Sequence, residues 1–407
     1  MNKFPRSAYV HIPFCHRRCF YCDFAVIPLG NNIETLQGYG SNTVKEYLNF
    51  LYKEILSIRH KHPLSTIYLG GGTPSILNPK QIKELIDLFK DNYGIDYGAE
   101  ITMEVDPASF NQDDLNGFIN AGINRFSLGA QSFNNQILEN AGRRHLSEHV
   151  EKSCSWLKNV FDLGLIKSWS LDLIQNLPLS GLTEWEEDLK QTLKFSPPHI
   201  SIYDLTIENG TVFKKLFDSG KLSLPSDDES FGNSESTNLF LKGSGYARYE
   251  ISNYCLPGHQ SRHNRVYWNG FGWWSFGQGS TSSPWGEKLT RPRIRKDYQE
   301  WVMKQCENKL DFSLVNKDFL YRELDEKIML GMRLKEGVNI QKLFKEQSWD
   351  KKQVDINLKN LYKEWDKFLK TGLLIQKGDR FFLSDPKGMN LSNQILISMF
   401  KWWDKIS

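Results

Sequence analysis

Cysteine is scarce in this chain of 407 residues, which has only six. No stretch approaches the roughly 18 consecutive apolar residues that a membrane-spanning helix needs. The charge is nearly balanced, with 51 Lys and Arg against 48 Asp and Glu, and a net charge of +3 gives no reason to expect nucleic-acid binding. Residues 1–7 are too few and too polar for a secretory signal peptide. We therefore expect a cytoplasmic protein with no membrane span and no nucleic-acid partner.

Three of the six cysteines nevertheless lie within eight residues, as a C-x3-C-x2-C cluster formed by Cys15, Cys19 and Cys22. Three thiolates at this spacing can bind three irons of a cubic 4Fe–4S cluster and leave the fourth iron without a protein ligand. Zinc is the main alternative, but a structural zinc site has four protein ligands, and the chain has no second C-x2-C. A chance grouping is the third interpretation, and it is disfavoured because free cysteines are usually scattered and buried.

The first two-thirds of the chain alternates short apolar segments with amphipathic ones, a pattern typical of parallel strands and crossover helices. The strand candidates are residues 8–12, 66–69, 100–105, 125–128, 169–174 and 200–205. The helix candidates between them are residues 44–59, 79–90, 112–120, 148–163 and 183–193. This order predicts an α/β fold, in the form of a full or partial TIM-like (β/α)6 barrel.

Each strand candidate ends in, or is followed by, polar or glycine-rich residues. In chain order these are the cysteine cluster, Gly70 to Thr73, Glu104 and Asp106, Gln131 and Ser132, Asp172, and Thr206 and Glu208. In a parallel barrel the carboxyl ends of all strands meet at one rim, where active sites are built. The sequence therefore predicts a single site at this rim.

Two segments follow the predicted barrel, and we divide the chain into residues 1–225, 226–310 and 311–407. The middle segment contains an H-N-x-x-Y-W sequence that begins at His263. The last segment has helical spacing followed by a hairpin pattern with its turn at Gly378, which predicts a winged-helix-like domain. Such domains bind DNA or pack against a catalytic domain, and the lack of a dense basic stripe favours packing.

The sequence resembles radical SAM proteins, in the group that contains the oxygen-independent coproporphyrinogen III dehydrogenases and the heme chaperones. The resemblance is carried by residues 9–15, the three cysteines, and residues 70–74, 124–133 and 172–178, and it extends over nearly the whole chain. It implies a partial radical SAM barrel and a 4Fe–4S cluster held by Cys15, Cys19 and Cys22. It also implies that S-adenosylmethionine binds at the open iron.

The resemblance further implies which residues contact the cofactors. The backbone of Gly71, Gly72 and Thr73 would receive the methionine ammonium. Tyr9 would border the cluster, and Tyr21 would flank the adenine. The polar side chains implied as further contacts are Glu104, Gln131, Arg143 and Asp172. Without the resemblance, the glycines could form an ordinary turn and the charged groups could be structural ion pairs.

Two functions of different classes occur in this group. The dehydrogenases decarboxylate two propionates of a porphyrinogen, whereas the chaperones carry heme. The dehydrogenases have a fourth cysteine two residues after the third, and Phe24 occupies that position here. Phenylalanine can neither bind a metal nor donate a proton. The H-N-x-x-Y-W sequence is similar to that of the chaperones, whose histidine is implicated in heme binding. The resemblance therefore implies a heme chaperone, with coproporphyrinogen III decarboxylation as the alternative.

His263 is the candidate heme ligand, because neutral imidazole is a common axial ligand of heme iron. Aromatic side chains follow it in the sequence, and the basic residues between positions 288 and 296 could receive propionates. A histidine beside aromatic residues is also a common packing residue, and this alternative stays open. The expected partners are heme, a protein that accepts it, and an electron donor such as a ferredoxin or flavodoxin.

Overall fold

The computed structural model describes residues 4–30, 39–58, 62–308 and 322–406. The strands in this part of the chain are β1 (Ser7–Ile12), β2 (Phe14–Cys15), β3 (Ile27–Pro28), β4 (Leu64–Gly71), β5 (Ile95–Val105), β6 (Arg125–Gln131), β7 (Ser168–Gln175), β8 (His199–Asp204), β9 (Ala247–Arg248), β10 (Asn253–Cys255), β11 (Trp274–Phe276), β12 (Thr281–Ser282), β13 (Leu289–Thr290), β14 (Val338–Asn339), β15 (Leu374–Lys377) and β16 (Arg380–Leu383).

The helices in the same ranges are α1 (Tyr39–Ser57), α2 (Pro79–Tyr93), α3 (Gln112–Asn120), α4 (Asn135–Asn140), α5 (Ser147–Asp162), α6 (Leu182–Phe195), α7 (Val212–Asp218), α8 (Asp227–Gly243), α9 (Arg262–Trp268), α10 (Arg295–Asn308), α11 (Leu324–Met332), α12 (Ile340–Lys345), α13 (Lys351–Lys370), α14 (Lys387–Asn390) and α15 (Ser392–Trp403). None of them is both long and apolar enough to span a membrane. Residue 59, the predicted end of the first helix, lies outside the described residues.

The chain divides into two compact units. One comprises Met1–Asn233 and Gly272–Leu320, and the other comprises Ser234–Phe271 and Tyr321–Ser407. The predicted boundary between residues 310 and 311 lies outside the described ranges, and the division into three segments stays a prediction.

A parallel sheet forms the centre of the first unit, with the strand order β11-β1-β4-β5-β6-β7-β8. All six predicted strands are present and pair in parallel in the order of the chain, so the predicted α/β fold with parallel strands is confirmed. The edge strand β11 was not predicted. It comes from the aromatic, glycine-rich stretch after residue 268, whose three strand residues are too few to give a periodic signal.

Apolar and polar residues alternate along the strands that carry the predicted site. On β6, Phe126 and Leu128 are fully buried, whereas Ser127 and Gly129 between and after them line a cavity. β5 and β7 follow the same rule, with apolar residues on either side of Glu104 and Asp172. Because successive side chains of a strand point to opposite faces, the apolar set packs under the helices and the polar set faces the cavity.

A buried carboxylate joins α1 to the β11 edge of the sheet. Glu54 on α1 is fully buried, and it accepts hydrogen bonds from Arg291 Nε (2.8 Å), the Tyr298 hydroxyl (2.7 Å) and the Gly277 backbone N–H (2.8 Å). Three donors and an opposite charge compensate the loss of hydration that burial imposes. Arg291, one of the basic residues expected to receive propionates, is therefore occupied within the protein.

The second unit contains the helices and hairpin predicted near the C-terminus. The antiparallel sheet β14-β16-β15 includes the β15–β16 hairpin, whose turn residue Gly378 has a φ of 57°. Helices α11, α12, α13 and α15 supply most of the apolar core beside this sheet, including Trp365 and Trp402. Helix α9, which bears the H-N-x-x-Y-W sequence, also belongs to this unit.

We expect Glu54→Ala to lower the free energy of unfolding by about 3–5 kcal/mol, because it leaves the Arg291 guanidinium buried without its counter-charge. Glu46→Ala is the matched control on the same helix. Glu46 pairs with Arg295 at the surface, so its removal should cost less than about 1 kcal/mol. Urea unfolding followed by circular dichroism measures both variants. Equal unfolding midpoints would contradict the structural role of Glu54.

Candidate functional site

A cavity of about 380 Å³ lies at the carboxyl ends of the parallel strands in the first unit. All the residues that the resemblance assigned to cofactors line it, except Tyr9 and His263. Four residues of the predicted rim do not line it: Gly70, Ser132, Thr206 and Glu208. The residues that the structure brings together here are Cys15, Cys19, Tyr21, Cys22, Gly71, Gly72, Thr73, Glu104, Gln131, Arg143 and Asp172. Residues from six separate segments of the chain thus meet around one space.

The three thiols of the cysteine cluster border this cavity and are free of disulfide bonds. Burial raises the pKa of the Cys15 thiol to about 12, and it raises the pKa of Cys22 as well. A coordinating metal reverses this preference, because a thiol bound to a metal is deprotonated. In the described ranges no three His, Cys, Asp or Glu side chains converge on the position of a single metal ion. Thiols spread around a cavity fit a cluster that offers each sulfur its own iron.

Hydrogen bonds to backbone carbonyls hold the cysteine loop against residues 141–143. Arg17 Nε donates to the carbonyl of Gly142 (3.0 Å), and its Nη2 donates to the carbonyl of Arg143 (2.9 Å). The Phe20 N–H donates to the carbonyl of Ala141 (3.0 Å). The role of Arg17 is not visible in the sequence, because a contact across more than a hundred residues leaves no local pattern.

The glycine run allows the backbone to pass between β1 and the cavity. Gly71 has a φ of 111°, a conformation that residues with a Cβ rarely adopt. At Gly72 a Cβ would lie within 2.9 Å of the Ile12 carbonyl oxygen, which accepts a hydrogen bond from the Gly72 N–H (2.8 Å). The Thr73 hydroxyl lies 3.6 Å from Cys15 Sγ. The run therefore brings backbone polar groups to the edge of the cysteine cluster.

Two carboxylates on β5 and β7 face the cavity, and neither has an ion-pair partner among the residues that the structure describes. Glu104 accepts hydrogen bonds from the Tyr68 hydroxyl (2.9 Å) and the Gly71 N–H (3.0 Å). Burial raises the pKa of Glu104 to about 7, and nearby Asp172 adds to the shift. Burial also raises the pKa of Asp172, which accepts from Ser127 Oγ at 2.7 Å. A cationic ligand would stabilise the charged form of both groups.

A third carboxylate has the opposite environment. Arg143 Nη2 donates to Asp106 Oδ2 (2.5 Å) and to the Gly129 carbonyl (2.8 Å), while Nη1 lies 3.4 Å from Cys19 Sγ. Burial by itself would raise the pKa of Asp106, but the Arg143 guanidinium outweighs it and holds the pKa well below its usual range. Arg143 Nε is buried and has no hydrogen-bond partner within the described part of the chain, which leaves one donor for an anionic group.

Gln131 enters the cavity from a strained turn at the end of β6. Its φ is 69°, and the pairing of β6 with β7 shifts register beside it. Asp188 on α6 holds the following residues, because it accepts from Ser132 Oγ and from the Phe133 N–H, both at 2.7 Å. Sequence reasoning missed Asp188, which lies far along the chain in an otherwise ordinary amphipathic helix.

Residues 9–171 match the Radical SAM superfamily. Over 97% of its length the chain is 36% identical to a protein named heme chaperone HemW from Synechocystis sp., and it covers 96% of that protein. This chain belongs to the HemW family of radical SAM proteins. It is also 34% identical to the heme chaperone HemW of Escherichia coli K12, over 77% of the chain and 80% of that protein.

The fold agrees with this family. The structure of coproporphyrinogen III oxidase (HemN) from Escherichia coli, described as a radical SAM enzyme, matches with a TM-score of 0.76. The match covers 97% of this chain and 90% of that one, at 23% sequence identity, and it establishes a shared fold. Membership of the radical SAM superfamily implies a 4Fe–4S cluster and S-adenosylmethionine as cofactors.

The cavity suits these cofactors of the radical SAM family. Its three free thiols match the three irons that protein ligands hold. S-adenosylmethionine carries a sulfonium, an ammonium and a carboxylate. Glu104 and Asp172 offer anionic partners for the two cations, and the unpartnered Nε of Arg143 offers a donor for the carboxylate.

Two residues assigned to cofactors by the resemblance lie outside the cavity. The Tyr9 hydroxyl lies 3.1 Å from Nδ1 of His11, and its ring lies 6.1 Å from that of Tyr68. His263 on α9 belongs to the second unit, is 1% exposed, and has its Nε2 2.8 Å from the Tyr267 hydroxyl. Burial lowers the pKa of His263 to about 3. These surroundings are those of the packing histidine that the sequence left as an alternative.

Titration of Glu104 predicts a pH dependence of stability in protein prepared without cofactors. The folded-state pKa of about 7 lies above the ordinary value of 4.5, so the folded state binds the proton more tightly. The contribution of Glu104 to the free energy of unfolding is therefore lost as the pH rises from 4.5 to about 7. We expect Glu104→Gln to gain thermal stability relative to wild type between about pH 5 and about pH 8.

Glu148→Gln serves as the control, because Glu148 is an exposed glutamate in the first turn of α5. Its melting temperature should keep a constant offset from wild type across the same pH series. An equally constant offset for Glu104→Gln would show that Glu104 does not titrate in this range.

Proposed function

We propose that this protein is a heme chaperone that binds a 4Fe–4S cluster, S-adenosylmethionine and heme, and transfers heme to an acceptor protein. The names of the relatives that match almost the full chain support this function. The observation that carries the choice against a dehydrogenase is Phe24. Its side chain is 56% exposed and lines the cavity where the dehydrogenases have a fourth cysteine. Phenylalanine cannot ligate a metal or transfer a proton there.

In this proposal Cys15, Cys19 and Cys22 hold the cluster. Support comes from their free thiols around one cavity and from the hydrogen bonds that fix their loop. The bound cluster and S-adenosylmethionine supply one-electron chemistry, while the protein orients them and excludes water. Tyr9 would border the cluster. The proposed contacts to S-adenosylmethionine are Tyr21, Gly71, Gly72, Thr73, Glu104, Gln131, Arg143 and Asp172.

The proposed heme ligand is His263. Its low pKa keeps the imidazole neutral at physiological pH, and neutral imidazole is the form that binds heme iron. Because Nε2 faces the Tyr267 hydroxyl and the side chain is buried, ligation requires α9 to expose the ring. The acceptor protein, an electron donor such as a ferredoxin or flavodoxin, and a cytoplasmic location belong to the same proposal.

We expect Cys19→Ala to abolish the visible iron–sulfur absorption after anaerobic reconstitution, because an alanine cannot replace a thiolate ligand. Binding of S-adenosylmethionine should fall with it. Iron and sulfide analysis and equilibrium binding measure the two effects. Cys306→Ala is the control, since Cys306 lies on α10 and does not line the cavity. A full cluster in Cys19→Ala would refute the ligand assignment.

Heme titration of the anaerobically prepared protein tests the function directly. Wild type should bind heme with a Soret band that His263→Ala weakens or shifts. Tyr267→Phe keeps the aromatic ring and removes the hydroxyl that occupies Nε2, so it should bind heme at least as well as wild type. Unchanged heme stoichiometry and spectrum in His263→Ala would assign the iron to another residue.

The same preparation decides between chaperone and dehydrogenase. It is incubated anaerobically with coproporphyrinogen III, S-adenosylmethionine and a reductant. We expect no protoporphyrinogen IX, and transfer of bound heme to an apo-hemoprotein should be detectable instead. Robust formation of protoporphyrinogen IX would overturn the chaperone proposal in favour of radical decarboxylation.

A further inference from the structure

The guanidinium of Arg143 connects a carboxylate to one sulfur of the cysteine cluster. Its Nη1 lies 3.4 Å from Cys19 Sγ, and its Nη2 lies 2.5 Å from Asp106 Oδ2. The two side chains are 11% and 24% exposed, so water screens this ion pair only in part. By comparison, the polar neighbour of Cys15 Sγ is the neutral hydroxyl of Thr73 at 3.6 Å. The donor near the Cys19 sulfur is therefore positively charged, whereas the donor near the Cys15 sulfur is neutral.

Three acceptors surround Nη2 and fix the orientation of the guanidinium. Besides Asp106, they are the Gly129 carbonyl (2.8 Å) and Nδ1 of His145 (3.3 Å). Nε2 of His145 lies 3.0 Å from the Ala130 carbonyl, which can only accept a hydrogen bond. In the neutral ring Nε2 therefore carries the hydrogen, and Nδ1 accepts. Because a guanidinium is planar, holding Nη2 also sets the direction of Nη1.

The carboxylate of Asp106 is itself anchored at the end of β5. Its Oδ1 accepts a hydrogen bond from the Ala108 N–H (3.2 Å), and its backbone N–H donates to Ser75 Oγ (3.1 Å). These two hydrogen bonds fix the side chain and the backbone of Asp106 and leave Oδ2 directed at Arg143. The chain Asp106–Arg143–Cys19 is therefore held at its far end by the rigid sheet.

We infer that Asp106 is a positioning residue, which aims Arg143 at the Cys19 sulfur and thereby raises the reduction potential of the cluster. This inference rests on the proposed function, because it takes Cys19 as a cluster ligand. Hydrogen bonds to the sulfurs are one of the controls that proteins exert on cluster potentials. A cationic donor stabilises the reduced cluster, which is more negative by one electron, more than the oxidised one.

Pulsed electron paramagnetic resonance of the reduced cluster, in water and in deuterium oxide without S-adenosylmethionine, tests the hydrogen bond. Wild type should show an exchangeable proton coupled to the cluster. Arg143→Lys keeps the charge but loses the planar fork, so it should lose this coupling and lower the midpoint potential. Arg144→Lys changes the exposed neighbouring arginine and should leave both values unchanged.

The Asp106→Asn variant distinguishes a role of Asp106 in positioning Arg143 from a direct effect of its negative charge on the cluster. In this variant the amide oxygen can still accept a hydrogen bond from the Ala108 N–H. The amide NH2 then faces Nη2 of Arg143, and because both groups are donors, no hydrogen bond forms between them. We expect a weaker proton coupling and a lower midpoint potential. If Asp106 acts through charge alone, the coupling stays and the potential rises, because a nearby negative charge has been removed. That outcome would overturn the inference.

Asp106→Glu decides the same question with the charge retained. A positioning role predicts a changed coupling, because the longer side chain displaces Nη2, whereas a wild-type coupling and potential would refute it. The proposed function fails separately, if wild type assembles no 4Fe–4S cluster. A wild-type cluster without an exchangeable coupled proton would overturn only the role of Asp106 and Arg143.

Discussion

Parallel strand pairing in register is the constraint on which the site depends. β1 pairs with β4 so that Ile12 lies beside Gly71, and β6 pairs with β7 so that Gly129 lies beside Asp172. This register brings the carboxyl ends of the strands to one edge, where the cysteine loop, the glycine run and the carboxylates meet. A slip of one residue would turn each polar side chain into the layer beneath the helices. Folding of the sheet and formation of the site are therefore the same event.

The charged groups around the cavity fall into two kinds with different consequences. Asp106 is compensated by Arg143, and its pKa is low. Glu104 and Asp172 are stabilised by neutral hydrogen-bond donors, and their pKa values are raised. Compensated groups hold a fixed geometry, whereas groups with raised pKa values retain an affinity for a cation. A cofactor that carries two cations and one carboxylate suits a cavity with both kinds.

The chain shares its fold with HemN, and under the proposed function one scaffold would serve both an enzyme and a chaperone. Under the proposed function, the groups that would distinguish a chaperone from a dehydrogenase are few, and they lie outside the strands of the parallel sheet. Phe24 lies beside the cysteine cluster in the first unit, whereas His263 lies in the second unit. Under the proposed function, these individual positions, and not the architecture of the sheet, would separate the two activities.

Local patterns in the sequence determined six of the seven strands of the parallel sheet, the five helices predicted between them and the main outline of the candidate site. The helix predicted at residues 112–120 has those bounds, and the strand predicted at residues 66–69 lies within β4. Period-two alternation and cysteine spacing are properties of neighbouring residues, so the sequence displays them directly. The residues at strand ends could then be placed together, because parallel topology aligns those ends.

The tertiary structure alone decided which polar groups hold the others in place. Arg17 contacts Gly142 and Arg143, which lie 125 and 126 positions further along the chain. Asp188 anchors a turn more than fifty residues earlier in the chain. It also assigned Arg291 to the buried Glu54 and packed His263 against Tyr267. Such partnerships depend on distances between segments remote in the chain. No local periodicity encodes those distances, and burial sets the strength of each contact only once the fold has formed.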